Sequence, residues 1–247
     1  MKVVVIGGSG LIGAKLVTTL RRDGHEAVPA APSTGVNTVT GEGLADVLEG
    51  AAAVVDVSNS PSFAADAALE FFQTSTGNLL EYSAKAGVGH FVALSVVGVG
   101  RLSELGYFRA KVAQEKLIRE SGRAYSIVQA TQFFEFITSI ADAGMVGDTV
   151  HLAPVLIQPM ASDDVAAALG RVAVGEPLSG TQEIGGPEQF RLDDLVRTGL
   201  RAQHDPREVV ADQQAGYFGT RLEERTLVPE PDAQRGELTF AQWLTRR

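Results

Sequence analysis

Short apolar runs alternate with amphipathic stretches along the first half of the chain. Runs rich in Val, Ile and Ala predict buried strands at residues 3–6, 51–57, 90–95 and 125–130. Helical spacing of the apolar positions between them predicts helices at about residues 11–22, 41–48, 63–86 and 107–120. Two shorter strands are predicted at residues 26–31 and 36–39, and Pro29 makes the first of them either short or an edge strand. This alternation predicts an α/β fold with a doubly wound parallel sheet.

The second half of the chain has a less regular pattern. Short strands are predicted at residues 155–157 and 181–184, and helices at residues 162–174, 192–202 and 238–244. The chain carries no internal repeat and no long linker. We therefore expect one domain over residues 1–247, in which roughly residues 145–247 contribute a small C-terminal subdomain on the substrate side.

A glycine-rich turn joins the first strand to the first helix. Its glycines are Gly7, Gly8, Gly10 and Gly13, and they fit both the G-x-G-x-x-G and the G-x-x-G-x-x-G spacing. Strand, glycine turn and helix form the phosphate cradle of a Rossmann dinucleotide-binding unit, because the backbone approaches a pyrophosphate closely and the helix N-terminus offers free N–H groups. The alternative is a tight turn without a ligand. The residues expected to bind the cofactor are Gly7, Ser9, Gly10, Leu11, Ile12 and Gly13.

Tyr107 and Lys111 form a second candidate group. Residues four apart on a helix share a face, and a nearby ammonium lowers the pKa of a phenol toward useful values. Ser95 ends the preceding strand, at the carboxyl edge where α/β proteins bind ligands. The alternative is an amphipathic helix with a surface lysine.

Taken together, these motifs resemble those of the short-chain dehydrogenase/reductase superfamily, and more narrowly its atypical, NmrA-like, NAD(P)-binding branch. The resemblance rests on the segment 7–13, on Tyr107 to Lys111 and on Ser95 before them, with weaker support from segments 129–134 and 186–188. It implies that Tyr107 is the general acid/base, that Lys111 binds the cofactor ribose and tunes Tyr107, and that Ser95 orients a substrate carbonyl. The chain departs from relatives that carry consecutive serines, because Val96 follows Ser95. A shift of one residue along a strand reverses the face of the side chain.

The residues after the second strand indicate which cofactor is preferred. NAD sites usually carry an acidic residue there, whereas this chain has Ala30, Ala31 and Pro32, followed by Ser33 and Thr34. The two hydroxyls can donate to a 2′-phosphate, so we expect NADP(H) to be favoured over NAD(H). Beyond the fourth predicted strand, Val57 and Asn59 are expected to line the cofactor.

Phe133 and Phe134 follow the sixth predicted strand. They are interpreted either as an apolar wall beside the nicotinamide or as ordinary core residues. The first interpretation suits a carbonyl or quinone-like substrate. The function expected from these features is an NAD(P)H-dependent oxidoreductase. The alternatives are a non-catalytic NmrA-like NAD(P) sensor and an epimerase or isomerase on the same scaffold.

Composition narrows the choice of partners. The net charge of −9 and the pI of about 5.0 argue against a nucleic-acid partner. The chain has no cysteine, and its four histidines lack ligand-like spacing, so we expect no metal site. No apolar run reaches the roughly 18 residues of a membrane helix, and the first run is too short for a signal peptide. A small-molecule substrate and a cytoplasmic location are expected, while the oligomeric state stays open.

Overall fold

Parallel strands form the centre of the fold in the computed structural model, which describes residues 1–103 and 106–246. In chain order the strands are β1 (Lys2–Ile6), β2 (Glu26–Ala30), β3 (Ala53–Asp56), β4 (His90–Val96), β5 (Tyr125–Ala130), β6 (Met145–Val146), β7 (Thr149–Leu152), β8 (Leu156–Ile157), β9 (Gly180–Gly185), β10 (Phe190–Arg191), β11 (Glu208–Ala211) and β12 (Gln234–Arg235). The main sheet has the order β12-β9-β5-β4-β3-β1-β2, and every neighbouring pair in it is parallel.

Helices cover both faces of this sheet. They are α1 (Leu11–Arg22), α2 (Leu44–Leu48), α3 (Ala65–Lys85), α4 (Gly106–Glu120), α5 (Ile137–Ala143), α6 (Ser162–Val174), α7 (Leu192–Ala202) and α8 (Phe240–Leu244). Single 3₁₀ turns occupy Pro32–Thr34 and Phe134–Phe136. Within the described ranges, none of the helices combines the length and the hydropathy that crossing a bilayer requires.

Alternate residues of the central strands supply two separate hydrophobic layers. Val3 and Val5 of β1 pack with α1 and α6, whereas Val4 and Ile6 pack with residues of α2, α3 and α4. Strands buried on both faces explain the continuous apolar runs in the sequence. The predicted fold class, a doubly wound parallel sheet, is confirmed.

Much of the C-terminal part builds a third core beside the sheet. It contains a three-stranded sheet of order β11-β7-β6 and the antiparallel pair β10-β8. Side chains of α5, α7 and α8 bury their apolar faces together there, with Phe134 and Trp243 among the buried residues. This third core adjoins the carboxyl edge of the main sheet. Val96, Val97 and Tyr107 lie at that edge, and Val96 and Tyr107 pack against the third core. The assignment of roughly residues 145–247 to a substrate-side subdomain stays a prediction.

One predicted strand, at residues 36–39, is wrong. The Asn37 side chain accepts the N–H of Val39 at 2.9 Å, and its carbonyl oxygen accepts the N–H of Gly41 at 2.9 Å, so the segment forms a turn. The sheet therefore ends at β2, in agreement with the edge alternative predicted from Pro29. The predicted helix that follows begins at Leu44.

Candidate functional site

The glycine turn lies between the carboxyl ends of β2 and β3. Gly7 has a φ of +76°, in the left-handed region that favours glycine. A Cβ at Gly7 would lie 2.9 Å from the backbone nitrogen of Ser58, just beyond β3. The Gly7 N–H donates to the carbonyl oxygen of Ala30 at 2.9 Å. Both neighbouring strands therefore hold the turn in place.

Two further glycines allow the turn and α1 to approach each other. A Cβ at Gly8 would lie 2.7 Å from Cα of Pro29, and one at Gly13 would lie 2.1 Å from the carbonyl oxygen of Gly7. Gly7, Gly8 and Gly13 are all required by close contact. Gly7 belongs to one of the two glycine spacings, Gly8 to the other and Gly13 to both.

Gly10 differs from the other glycines of the turn. Its backbone is extended, with a φ of −80°, and the nearest atom to a Cβ would be the Gly7 oxygen at 3.3 Å. The first hydrogen bond of α1 runs from the Ala14 N–H to the Gly10 oxygen, so the N–H groups before Ala14 lack an acceptor within the helix. The exposed positions are Ser9, Gly10 and Leu11, whereas the Ile12 side chain is buried. An open helix N-terminus of this kind fits the pyrophosphate of a dinucleotide.

The two hydroxyls expected to contact the cofactor's 2′-phosphate differ in whether they already form hydrogen bonds within the protein. Thr34 Oγ1 accepts the N–H of Ala31 at 2.9 Å, so it already stabilises its own 3₁₀ turn. Ser33 is exposed. The Arg21 guanidinium donates to the carbonyl oxygen of Ala27 at 2.9 and 3.1 Å. Ser33 is therefore the hydroxyl of this pair that is free to meet a ligand.

A buried carboxylate organises the loop after β3. Asp56 is 1% exposed, and its Oδ1 accepts the backbone N–H of Ser58 at 2.9 Å and the Ser58 hydroxyl at 2.6 Å. Burial raises the pKa of Asp56, although these bonds and Lys111 oppose the shift. The bonds fix the course of residues 57–59, where Val57 is half-buried and Asn59 is exposed.

The phenol of Tyr107 meets this same loop. Its hydroxyl donates to Asn59 Oδ1 at 3.0 Å, and its ring lies 5.4 Å from Phe63 and 5.9 Å from Phe72 between centroids. Burial raises the pKa of Tyr107 to about 12. This direction is opposite to the lowering expected from the neighbouring ammonium, because burial disfavours the charged phenolate. The phenol keeps its proton at neutral pH and is a weaker acid than a free tyrosine.

The amine of Lys111 lies below α4 instead of at its surface. Lys111 is 4% exposed, and its Nζ donates to the Leu94 carbonyl oxygen at 2.9 Å and to Oε1 of Gln114. It also lies 4.5 Å from the centre of the Phe72 ring. Burial lowers the pKa of Lys111 to about 8, and Asp56 opposes this shift. This burial excludes the surface lysine considered as the alternative, although Lys111 and Tyr107 bond to different partners.

Ser95 lies beneath the same helix. Side chains alternate along a strand, so Ser95 shares a face of β4 with Phe91 and Ala93, which pack on the α4 side. Ser95 is 5% exposed, and its hydroxyl has no hydrogen-bond partner within the described part of the chain. Its expected contact with a substrate carbonyl stays a prediction.

The two phenylalanines of the expected pocket have different environments. Phe134 is 1% exposed and lies 5.1 Å from Phe240 and 5.4 Å from Trp243 between ring centroids. This burial favours the core interpretation of Phe134. Phe133 is half-buried and stacks on exposed Phe136 at 5.3 Å. The Phe133–Phe136 pair is the part of this segment that can contact a ligand.

Asp56 and Gln114 are site residues that the sequence interpretation missed. Gln114 follows Tyr107 by seven residues and Lys111 by three, so the helical period places it on the same face. Asp56 is a lone acid in the apolar run at residues 51–57. A charged residue inside a predicted buried strand was the available signal.

Comparison with known proteins agrees with this geometry. A family model described as NAD(P)H-binding matches residues 7–172. The photosystem II assembly factor Ycf39 of Synechocystis is 25% identical over 149 residues, a match that spans 55% of this chain and 46% of that factor. The structure of MoeE5 in complex with UDP-glucose and NAD has a TM-score of 0.74 at 18% identity, and the match covers 99% of this chain and 96% of the MoeE5 chain. A short-chain dehydrogenase/reductase superfamily protein from Agrobacterium tumefaciens with bound NAD has a TM-score of 0.74 at 19% identity, and the match covers 100% of this chain and 95% of that protein's chain.

Proposed function

Because this chain belongs to the NAD(P)H-binding family of Rossmann proteins, we propose that it is an oxidoreductase that uses NAD(P)H to reduce a carbonyl or quinone-like small molecule. The family match and the shared fold also confirm the resemblance to the short-chain dehydrogenase/reductase superfamily. The reaction and the substrate class go beyond the family match, and we propose them from the residues at the carboxyl edge of the sheet.

The observation that carries the proposal is the position of the loop at residues 57–59. At one end Ser58 touches the glycine turn, since a Cβ at Gly7 would lie 2.9 Å from the Ser58 nitrogen. At the other end Asn59 accepts the Tyr107 hydroxyl at 3.0 Å. An open phosphate cradle and a protonated phenol therefore border one loop, as a site for a dinucleotide and a reducible substrate requires.

The proton-transfer step belongs to Tyr107. A phenol with a pKa of about 12 keeps its proton until a substrate oxygen becomes basic, and it then donates that proton to the oxygen. Lys111, on the same helix, supplies positive charge that favours the phenolate left behind. A bound nicotinamide cofactor supplies the hydride.

NADP(H) is the proposed cofactor of choice. The residues after β2 include no acid that would repel a 2′-phosphate, and exposed Ser33 offers a hydroxyl to it. We expect NADPH to bind several-fold more tightly than NADH, and Ser33→Ala to reduce this preference. Calorimetric titration of both cofactors measures the difference, and equal affinities would remove the preference from the proposal.

The proposed substrate is planar and apolar. The stacked rings of Phe133 and Phe136 follow β5, and exposed Phe63 lies 5.4 Å from Tyr107 between ring centroids. Aromatic side chains offer faces for stacking to a quinone or an aromatic aldehyde. This ring arrangement supports the choice of substrate class.

Substitution of Tyr107 tests the proposed role most simply. Tyr107→Phe removes the hydroxyl alone, so we expect NADPH oxidation with a quinone or aldehyde to slow by about 100-fold or more while NADPH still binds. Tyr125→Phe is the matched control, because Tyr125 begins β5 at the opposite edge of the sheet. Unchanged turnover in Tyr107→Phe would remove Tyr107 from the mechanism.

One observation favours a second function. The relative Ycf39 is described as an assembly factor, and this description favours an NAD(P) sensor that binds a protein as the second candidate. A sensor binds NADPH but oxidises it with no compound of the panel. An epimerase or isomerase would retain its nucleotide through purification without net consumption.

A further inference from the structure

A chain of buried polar groups links β3 to α4 beneath the proposed site. Asp56, Lys111 and Gln114 are each at most 4% exposed. We infer that Asp56 and Gln114 are positioning residues that hold Lys111 as a buried cation next to Tyr107. This inference rests on the proposed function in assigning the cation a use, and its geometry stands independently of that function.

Gln114 bridges the two charges. Its Oε1 accepts a hydrogen bond from Lys111 Nζ, and its Nε2 donates to Asp56 Oδ2 at 3.0 Å. An amide has one accepting and one donating end, so these two partners fix its orientation. The Leu94 carbonyl oxygen accepts a second bond from Lys111 at 2.9 Å. Lys111 thus has a defined position that does not depend on solvent.

The charges around Lys111 identify Asp56 as its counter-ion. From α4, Glu115 also raises the pKa of Lys111, but its carboxylate has other partners. Its Oε1 accepts from Gln129 at 2.7 Å, and its Oε2 pairs with Arg119 at 2.7 Å. The neutral phenol of Tyr107 also lies on α4. The groups on the other two elements are uncharged. The Phe72 ring of α3 faces the Lys111 amine, and the Leu94 carbonyl oxygen of β4 accepts a hydrogen bond from it. Asp56, from β3, is the carboxylate joined to Lys111 through a hydrogen-bonded bridge.

Burial makes this counter-ion necessary. An isolated ammonium loses its hydration when it is buried and then releases its proton at a lower pH. Asp56 opposes that loss, and its Oδ1 also fixes Ser58, the neighbour of Asn59 that accepts the Tyr107 hydroxyl. The Asp56 carboxylate therefore both stabilises the charged form of Lys111 and fixes the loop that accepts the Tyr107 hydroxyl.

A direct titration of Lys111 tests the inference without any cofactor. NMR spectra of the full chain carrying ¹³Cε-labelled lysine follow the Lys111 signal, which Lys111→Met assigns. We expect the titration midpoint to fall by at least one pH unit, about tenfold in proton affinity, in Asp56→Asn. The amide can still accept the Ser58 bonds, so the loop is preserved. An unchanged midpoint in Asp56→Asn would overturn the inference.

Two further variants keep this test decisive. Asp66→Asn is the matched control, because Asp66 is fully exposed and pairs with Arg109 at 3.5 Å across α3 and α4, and we expect no change in Lys111. Gln114→Leu removes the bridge and leaves the Asp56–Ser58 bonds in place. It is expected to lower the midpoint as well, and it decides the question if Asp56→Asn fails to fold. Thermal unfolding at pH 7 identifies such a failure.

Binding of NADPH at different pH values separates this inference from the proposed function. We expect the NADPH affinity of the wild type to fall above the Lys111 midpoint, and that of Asp56→Asn to fall at a correspondingly lower pH. A wild type that binds no NADPH at any pH would refute the proposed function, while the lysine titration would still decide the inference. Equal pH profiles in the two proteins would refute the assigned role of Asp56.

Discussion

At the scale of single residues, Tyr107 and Lys111 lie one helical turn apart but hold different partners. The phenol bonds to Asn59, and the amine bonds to Leu94 and Gln114. In this structure the pKa of Tyr107 lies above that of an ordinary phenol, because burial disfavours the charged phenolate. We propose that Tyr107 donates the proton and that Lys111 supplies a buried positive charge on the same helix.

The burial of Lys111 predicts how stability depends on pH. Its pKa is about 8 in the folded protein, against 10.5 for a free lysine. Between these values the unfolded chain binds more protons than the folded one, so the free energy of unfolding rises with pH. We expect Lys111 to contribute a rise of about 1.5 kcal/mol between pH 8 and pH 9.5.

Urea unfolding at the two pH values measures this rise. Lys111→Met lacks the titrating group, so its increase should be smaller than that of the wild type by the same amount. Lys116→Met is the control, because Lys116 lies on the same helix with 70% of its side chain exposed. Equal increases in the wild type and in Lys111→Met would show that Lys111 titrates normally.

The sequence predicted part of this site. The residue types and spacing of Tyr107 and Lys111 indicated an acid and a cation on one helix face. Their partners Asn59 and Asp56 come from another segment of the chain, some fifty residues earlier. Only the pairing of β3 with β4, and the packing of α4 over both, brings those segments together. A local pattern carries no information on such contacts.

At the scale of elements, the junction of β1, the glycine turn and α1 is the most constrained part of the site. Gly13→Ala should destabilise the protein by about 2 kcal/mol or more, because its Cβ would lie 2.1 Å from a backbone oxygen. Gly10→Ala has an ordinary φ, and its Cβ would lie 3.3 Å from the Gly7 oxygen. A shift of a few tenths of an ångström relieves this tight contact, so the fold should survive. The added methyl group lies at the open N-terminus of α1, and NADPH affinity should fall by tenfold or more.

Unfolding experiments and NADPH titrations compare these variants. Gly77→Ala is the control for glycine replacement, since Gly77 is exposed in α3 with no atom within 4 Å of its added Cβ. It should raise stability by about 0.5–1 kcal/mol through helix propensity. Wild-type NADPH affinity in Gly10→Ala would argue that the turn is structural and does not hold a pyrophosphate.

The elements themselves were predicted unevenly. Long apolar runs identified β1, β3, β4 and β5 because those strands are buried on both faces. The turn at residues 36–39 was mistaken for a strand, since its apolar residues suggested burial while Asn37 set the conformation. The strands β6, β7, β10, β11 and β12 were missed. They are at most four residues long, and the pairing of β7 with β11 joins segments about sixty residues apart.

At the scale of the whole molecule, a separate core supports the carboxyl edge of the sheet. Phe134 joins this core to the end of β5 through Phe240 and Trp243. Phe134→Ala should cost about 3–5 kcal/mol of unfolding free energy because it leaves a buried cavity. Phe136→Ala should cost about 1 kcal/mol or less, since Phe136 is 43% exposed.

Chemical denaturation of the two variants measures this contrast. Phe136→Ala should instead weaken the binding of an aromatic substrate, because it removes the ring that stacks on Phe133. A small loss of stability in Phe134→Ala would mean that the C-terminal core does not depend on this residue. The assignment of Phe134 to the core and of Phe136 to substrate binding would then be wrong.

The oxidation of NADPH by the wild-type protein tests the central claim most directly. Absorbance at 340 nm would be followed with a panel of quinones and aldehydes, with NADPH binding measured on the same preparation. We predict saturable consumption of NADPH that scales with protein concentration and is lost in Tyr107→Phe. Tight binding of NADPH without consumption by any compound of the panel would contradict the proposed oxidoreductase and favour the sensor.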